Sequence, residues 1–186
     1  MKQRNPFKDL TKFELALWLS SIVIVSFAFM FSEIRNYLSL IASLIGATAL
    51  IFVAKGYVIG QILIVVFAVF YGIISYTFRY YGEMITYLCM SAPIALMSVI
   101  SWIRHPFKES AEVKVSKLTI NKISVMLLLS GIVTFIFYFI LKALGNANIA
   151  FSTLSVTTSF IASYLTFLRS PYYALAYAAN DAVLVV

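Results

Sequence analysis

One cysteine, one histidine and seven acidic residues in a chain of 186 set the first limits. A lone Cys89 excludes an internal disulfide and a cysteine-built metal cluster, and reads as a small apolar filler. The lone His105 stands beside Pro106 outside the apolar runs, so no histidine-rich metal site is expected, and no cofactor. Charged residues make up 11% of the chain, against about 25% in soluble domains. That shortage excludes a water-soluble globule. Inside the apolar runs there is no HExxH, no histidine and no pair of acids, so an intramembrane enzyme lacks a nucleophile and base.

What is present is apolar: 62% hydrophobic residues and a mean hydropathy of +0.97. The runs are long enough to cross a hydrocarbon layer of about 30 Å as helices, whereas barrel strands would be about ten residues with strict alternation. The fold class is an all-α integral membrane protein, a multi-span helical bundle. Residues 1–13 form a polar, basic arm with no small-residue cleavage site after the run that follows, so no removed leader is expected. Residues 14–36 hold a first span at 15–31 and a loop with Glu33, Arg35 and Asn36.

Residues 37–103 hold three spans, at 37–54, 57–78 and 82–103. Lys55 and Gly56 close the first of these, and Gly60 and Gly72 predict close helix approach in the second. Gln61 also lies in the second span, as interhelical glue or as a ligand. Pro93 predicts a kink in the third, which Trp102 closes at the interface, while Glu83 reads as a solvated helix-start acid. A polar loop at 104–121, carrying Lys108, Glu109, Glu112, Lys114 and Lys117, divides the chain. Beyond it come 122–146, with a span at 122–144, and 147–186, with a span at 149–168. Ser152, Ser155, Ser159, Ser163 and Thr166 run along one side of that last span, for tight packing or for a polar path.

The end of the chain reads SPYYALAYAANDAVLVV from Ser170. Ser170 suits an N-cap and Pro171 the first helical position. Tyr173, Tyr177, Asn180 and Leu184 recur at helical spacing, with Asp181 on the edge of their face and about 15 Å into the helix. An ionisable group at that depth in a membrane marks a functional site, or else hydrogen-bonds a serine of the preceding span. The tyrosine pair has a packing reading as well. From Pro171 onward the helix reaches about 24 Å, short of the hydrocarbon thickness, which predicts a C-terminally truncated piece of a longer chain.

With a cytoplasmic N-terminus, the inner segments hold Lys2, Arg4, Lys8, Lys12, Lys55, Arg104, Lys108, Lys114, Lys117, Lys122 and Arg169. The outer segments hold Arg35, Arg79 and Lys142. Topology and contact with the lipid bilayer thus account for the net charge of +7, and no nucleic acid is implied.

YVIGQILIVVFAVFYGIISY, RYYGEMITYLCMSAPIALMSVISW and RSPYYALAYAANDAVLVV together resemble the PnuC family of bacterial vitamin-precursor transporters, associated most often with nicotinamide riboside. The resemblance runs from about Leu40 to the end. It implies a SWEET-like fold: a first three-helix bundle at 37–103, a linker helix at 122–146, a second bundle at 147–186 lacking its last helix, and the helix at 14–36 as an N-terminal extra. It also implies facilitated diffusion across a bacterial cytoplasmic membrane, a functional link to a cytoplasmic kinase that traps the solute, and a homo-oligomer as a possible partner state. Many members sandwich the flat base with a WxxW pair. Aligned on Asp181, this chain has Tyr177 at the second tryptophan and Ala174 at the first, with Tyr173 as the nearest aromatic. Near the place of an expected glutamine stand Ala95 or Tyr87. These departures leave thiamine and riboflavin open as alternative substrates.

The residues fit a flat polar solute independently. A ring stacked on tyrosine gains on the order of 1 to 3 kcal/mol, and ribose hydroxyls need buried partners such as Asn180, Asp181 and Gln61. No phosphate cradle is visible, and a carboxylate at Asp181 suits a pyridinium cation. The expectation is a transporter, with a membrane scaffold subunit or an intramembrane enzyme as the remaining alternatives. The candidate substrate-binding residues are Tyr173, Tyr177, Asn180, Asp181, Gln61 and Tyr87, with no catalytic or metal residue.

Overall fold

The structure, a computed structural model, describes residues 7–32, 35–107, 112–146 and 148–185, without the side chains of Leu184 and Val185. The expectations resting on Lys2, Arg4, Glu33, Lys108, Glu109 and the side chain of Leu184 lie outside the described set. Seven helices run through the described residues: α1 (Lys12–Met30), α2 (Tyr37–Ala54), α3 (Val58–Thr77), α4 (Tyr81–Ile103), α5 (Ile120–Ala143), α6 (Ile149–Phe167) and α7 (Tyr173–Val185). The first six are long and apolar enough to cross a membrane. Their outward faces carry large exposed apolar side chains such as Ile24, Leu128 and Phe135, which water would not tolerate in such numbers.

Local chemistry sets the helix ends. Thr11 and Glu14 form a capping box on α1, with bonds of 2.7 and 3.2 Å, and the Asn36 carboxamide accepts from Leu38 and Ser39 at the start of α2. Four helices end in the same paired motif, in which the residue after the cap turns left-handed. After α2 the Tyr57 amide donates to Phe52 and that of Gly56 to Val53, both at 2.9 Å. Gly56 and Gly145 fill two of these left-handed positions with φ of 76° and 69°; Arg79 and Arg169 hold the other two at 63° and 59°.

Ser170 caps the start of α7 as expected: its hydroxyl accepts from the Tyr172 amide, two residues on, at 3.4 Å, across a turn formed by Pro171 and Tyr172, and the regular helix follows from Tyr173. The Ser170 amide serves the left-handed end of α6 at the same time, bonded to Leu165 at 3.0 Å. One turn differs from expectation. Pro93 is accommodated by a widened turn. Residues Thr86–Ser91 of α4 form a π-helical segment, in which the Ala92 amide reaches back five residues to Tyr87 and the preceding carbonyls clear the proline ring. Cys89 is exposed on this segment and fills no packing gap.

α2 packs against α3, α3 against both halves of α4, and α6 against α5 and α7, while α4 meets α6. Met90 and Ile94, Phe137 and Leu141, and Val156 and Phe160 form one buried apolar cluster where α4, α5 and α6 converge. Gly60 and Gly72 permit the closest approaches. A Cβ on Gly60 would sit 2.5 Å from the Val53 backbone nitrogen, and one on Gly72 2.5 Å from Leu88 Cγ. α1 lies on α2 through Trp18 Nε1 donating to Thr48 Oγ1 at 3.1 Å and a Glu14–Lys55 ion pair of 3.2 Å.

One end of the bundle gathers the α2–α3 turn, residues 104–107 and 112–119, and the α6–α7 turn, stitched by Val113 N–H donating to Gly56 O at 2.8 Å and Ser116 N–H to Arg169 O at 3.0 Å. Lys55, Arg104, Lys114, Lys117 and Arg169 stand at this end, and it is called the basic end below.

Candidate functional site

A cavity of about 710 Å3 opens between α2, α3 and α4 on one side and α6 and α7 on the other. That volume suits a small organic molecule. Gln61, Tyr87, Tyr173, Tyr177, Asn180 and Asp181 all line it.

The α6–α7 wall is built by hydrogen bonding. The Asn180 Oδ1 atom accepts from Ser155, Thr158 and Ser159 of α6 at 3.4, 2.7 and 2.9 Å, so the hydroxylated side of α6 packs and lines the cavity at once. With its oxygen so occupied, the buried carboxamide keeps two N–H donors on its nitrogen. Tyr177 shares a 3.3 Å contact with Ser163. Asp181 stands about 100° further round the helix, exposed, and no hydrogen bond or ion pair reaches it from the described residues. It is therefore not the buried, serine-bonded carboxylate that the sequence allowed; Asn180 takes that bonding.

Tyr173 lines the cavity and also braces it. Its phenol donates to the Val53 carbonyl of α2 at 3.2 Å, and its ring meets that of Tyr177 edge to face, with centroids 6.4 Å apart and planes at 79°. These two rings do not form parallel plates. At the same level Trp102 Nε1 donates to Thr166 O at 3.0 Å and Ser101 Oγ to Phe167 O at 3.1 Å, so three side-chain bonds floor the cavity at the basic end. Beneath the floor, burial draws the Arg169 guanidinium below its usual range, and its Nε has no partner among the described residues.

The opposite wall holds Gln61, which is buried, and an aromatic surface of which sequence reading found Tyr87 but missed Tyr71 and Phe67. Tyr71 of α3 lies against Tyr87 of α4 at 4.4 Å, and Phe67 meets Tyr87 at 6.0 Å. One turn before Tyr87, Glu83 lines the cavity and accepts from the buried Ser75 hydroxyl at 3.5 Å. Glu83 starts its helix and is exposed, as read, and it also lines the cavity. The clue was its i, i+4 spacing to Tyr87, which puts both on one face. Asn146 and Asn148 line the end of the cavity opposite the basic end. Glu83 and Asp181 are the charged side chains of the lining; no Lys, Arg or His is among the described lining residues.

Residues 36–186 match the family model described as nicotinamide mononucleotide transporter. This chain belongs to the nicotinamide mononucleotide transporter family. A nicotinamide riboside transporter PnuC from Neisseria mucosa is 28% identical over 171 residues, which cover 90% of this chain and 65% of that protein. The chain thus spans under two thirds of that relative's length. A crystal structure of the vitamin B3 transporter PnuC superposes with a TM-score of 0.79 at 26% identity, covering 95% of this chain and 76% of the other. The all-helical, multi-span fold expected from the sequence is that of this family, whose members here are transporters and not enzymes. As a family member the chain is a multi-pass membrane protein, and α1 lies outside the matched residues.

Proposed function

We propose that this family member carries a flat, cationic vitamin precursor of the nicotinamide riboside type, by facilitated diffusion with alternating access. One observation carries the reading: a cavity between two groups of helices whose lining offers ring faces, a clamped carboxamide and two carboxylates, with no basic side chain described. A pyridinium nucleoside bears one positive charge and meets complementary walls. Its mononucleotide adds a phosphate, which would face two carboxylates with no cation to receive it. The riboside is therefore favoured over the mononucleotide for which the family is described.

Gln61, Tyr87, Tyr177, Asn180 and Asp181 contact the solute in this proposal, with Tyr173 serving the floor. Residues 37–103 and 147–186 act as the two bundles that rock about the site, joined by α5, the scheme common to repeat-built carriers. The basic end faces the cytoplasm of a bacterial cell and the N-terminus is inside, in keeping with the positive-inside rule. Net uptake is drawn by a cytoplasmic kinase that phosphorylates the solute, and the carrier assembles as a homo-oligomer. Thiamine, also flat and cationic, is the second reading that the two carboxylates favour; neutral riboflavin is not.

Thermal unfolding of the purified full-length protein tests this. Nicotinamide riboside at a hundredfold excess over its Kd should stabilise by about 2.7 kcal/mol and raise Tm, while the mononucleotide at equal concentration should leave Tm unmoved. Tyr177→Ala should fold and lose the riboside response. A Tm raised by thiamine alone would transfer the reading to thiamine.

A further inference from the structure

The two carboxylates of the cavity stand in different company. Asp181 follows Asn180 on α7, in a wall of hydroxyls and a carboxamide that suits a diol. Glu83 stands on the other wall, one turn from Tyr87, whose ring lies 4.4 Å from that of Tyr71. Its position is built: Gly82 beside it has no side chain, and a Cβ there would come 2.7 Å from Leu141 Cδ2, so α4 can start close against α5. The buried Ser75 hydroxyl then meets the Glu83 carboxylate from α3. The π-helical turn begins three residues later and sets Tyr87 into the cavity beside it. By contrast, the Tyr173 and Tyr177 rings stand edge to face, with both phenols engaged, and offer a poorer seat for a flat ring.

Resting on the functional reading above, we propose that Glu83 is the specificity-determining counter-ion. The charged ring of the solute seats on Tyr71 and Tyr87 with its positive charge toward Glu83, while its sugar is held by Asn180 and Asp181. Rings attract a cation through their faces, and a carboxylate in the same recess adds a charge term that an uncharged ring of the same shape does not feel. The wall thereby selects by charge, and the α7 wall by hydroxyl pattern.

Nicotinamide riboside and its reduced 1,4-dihydro form make the test, because they share a shape and differ by one positive charge. Dissociation constants of both are measured on purified full-length protein in detergent. Wild type should prefer the cation; Glu83→Gln should shrink that preference about 3- to 10-fold, the size of one partly screened charge contact. Glu83→Asp should restore most of it, and Asp181→Asn should weaken both ligands together. A Glu83→Gln preference equal to wild type overturns the proposal, as does a preference that collapses in Asp181→Asn alone. Should Glu83→Gln fail to elute as a folded species, wild type is titrated between 20 and 500 mM KCl. Salt should then weaken the cation and spare the neutral form, and equal behaviour of the two overturns the proposal. If wild type binds neither ligand, the functional reading itself falls.

Discussion

Asn180 shows how one side chain can hold a wall together and still serve a solute. Its oxygen accepts from three hydroxyls of α6. Removing it leaves hydroxyls that must fall back on carbonyls of their own helix, as Thr158 can with Leu154 at 3.1 Å. Asn180→Ala should therefore lower Tm modestly, by the equivalent of about 1 to 2 kcal/mol, and weaken the riboside more than that loss of stability explains. Asn180→Asp separates the two roles. It keeps an acceptor for the hydroxyls but takes away the N–H donors, so Tm should fall no further than in Asn180→Ala, while the Kd of the uncharged dihydro riboside, which gains nothing from the added charge, rises tenfold or more. A Kd unchanged in Asn180→Asp would show that the carboxamide serves packing alone. At this same scale the sequence was readable where spacing sufficed: Tyr177, Asn180 and Asp181 share a helix and reach one cavity. It was silent where a partner comes from a distant segment, as with the Tyr173 phenol and the Val53 carbonyl, 120 residues apart.

Among the elements, the α2–α3 hairpin depends on backbone contact more than on side-chain fit. Gly60 faces the Val53 nitrogen, with space for a hydrogen and none for a methyl. Gly60→Ala should force the two helices apart at the basic end and lower Tm by on the order of 5 °C, since a backbone neighbour cannot rotate away. Gly131→Ala on α5 is the matched control: nothing lies within 4 Å of its added methyl, and Tm should not fall. Equal Tm values for the two variants would deny the close approach. Helix positions were largely legible beforehand, because long apolar runs bounded by charge and turn residues leave few alternatives, and α2 lies at 37–54 as read. The interruptions were less legible. A proline announces a disturbance but not whether it becomes a kink or a π turn, and arginines at 79 and 169 hide left-handed turns that glycine would have advertised.

For the molecule as a whole, the question is which end of the cavity is shut, and the floor gives the answer. Tyr173–Val53, Trp102–Thr166 and Ser101–Phe167 all join α2 or α4 to α6 or α7 at the basic end. At the other end, Glu83, Asn146 and Asn148 line the cavity, and among the described residues no comparable set of side-chain bonds joins these helices there. In an alternating-access carrier such a floor must break once per cycle, so its bonds set the balance between the two facings. Tyr173→Phe removes a single bond, worth about 1 kcal/mol net, and should raise the population open at the basic end about fivefold. Ser98 reports on this, since it is buried, lines the cavity and lies four residues before Trp102 in the same helix. With the exposed Cys89 replaced by alanine and a cysteine placed at 98, an impermeant thiol reagent applied from the side of Lys55 and Arg104 should label Tyr173→Phe about five times faster than its parent. Saturating riboside should change both rates in the same proportion if the solute binds the two facings alike. A labelling rate that Tyr173→Phe leaves untouched would mean that the Trp102 and Ser101 bonds alone hold the floor, and that Tyr173 belongs to the solute after all.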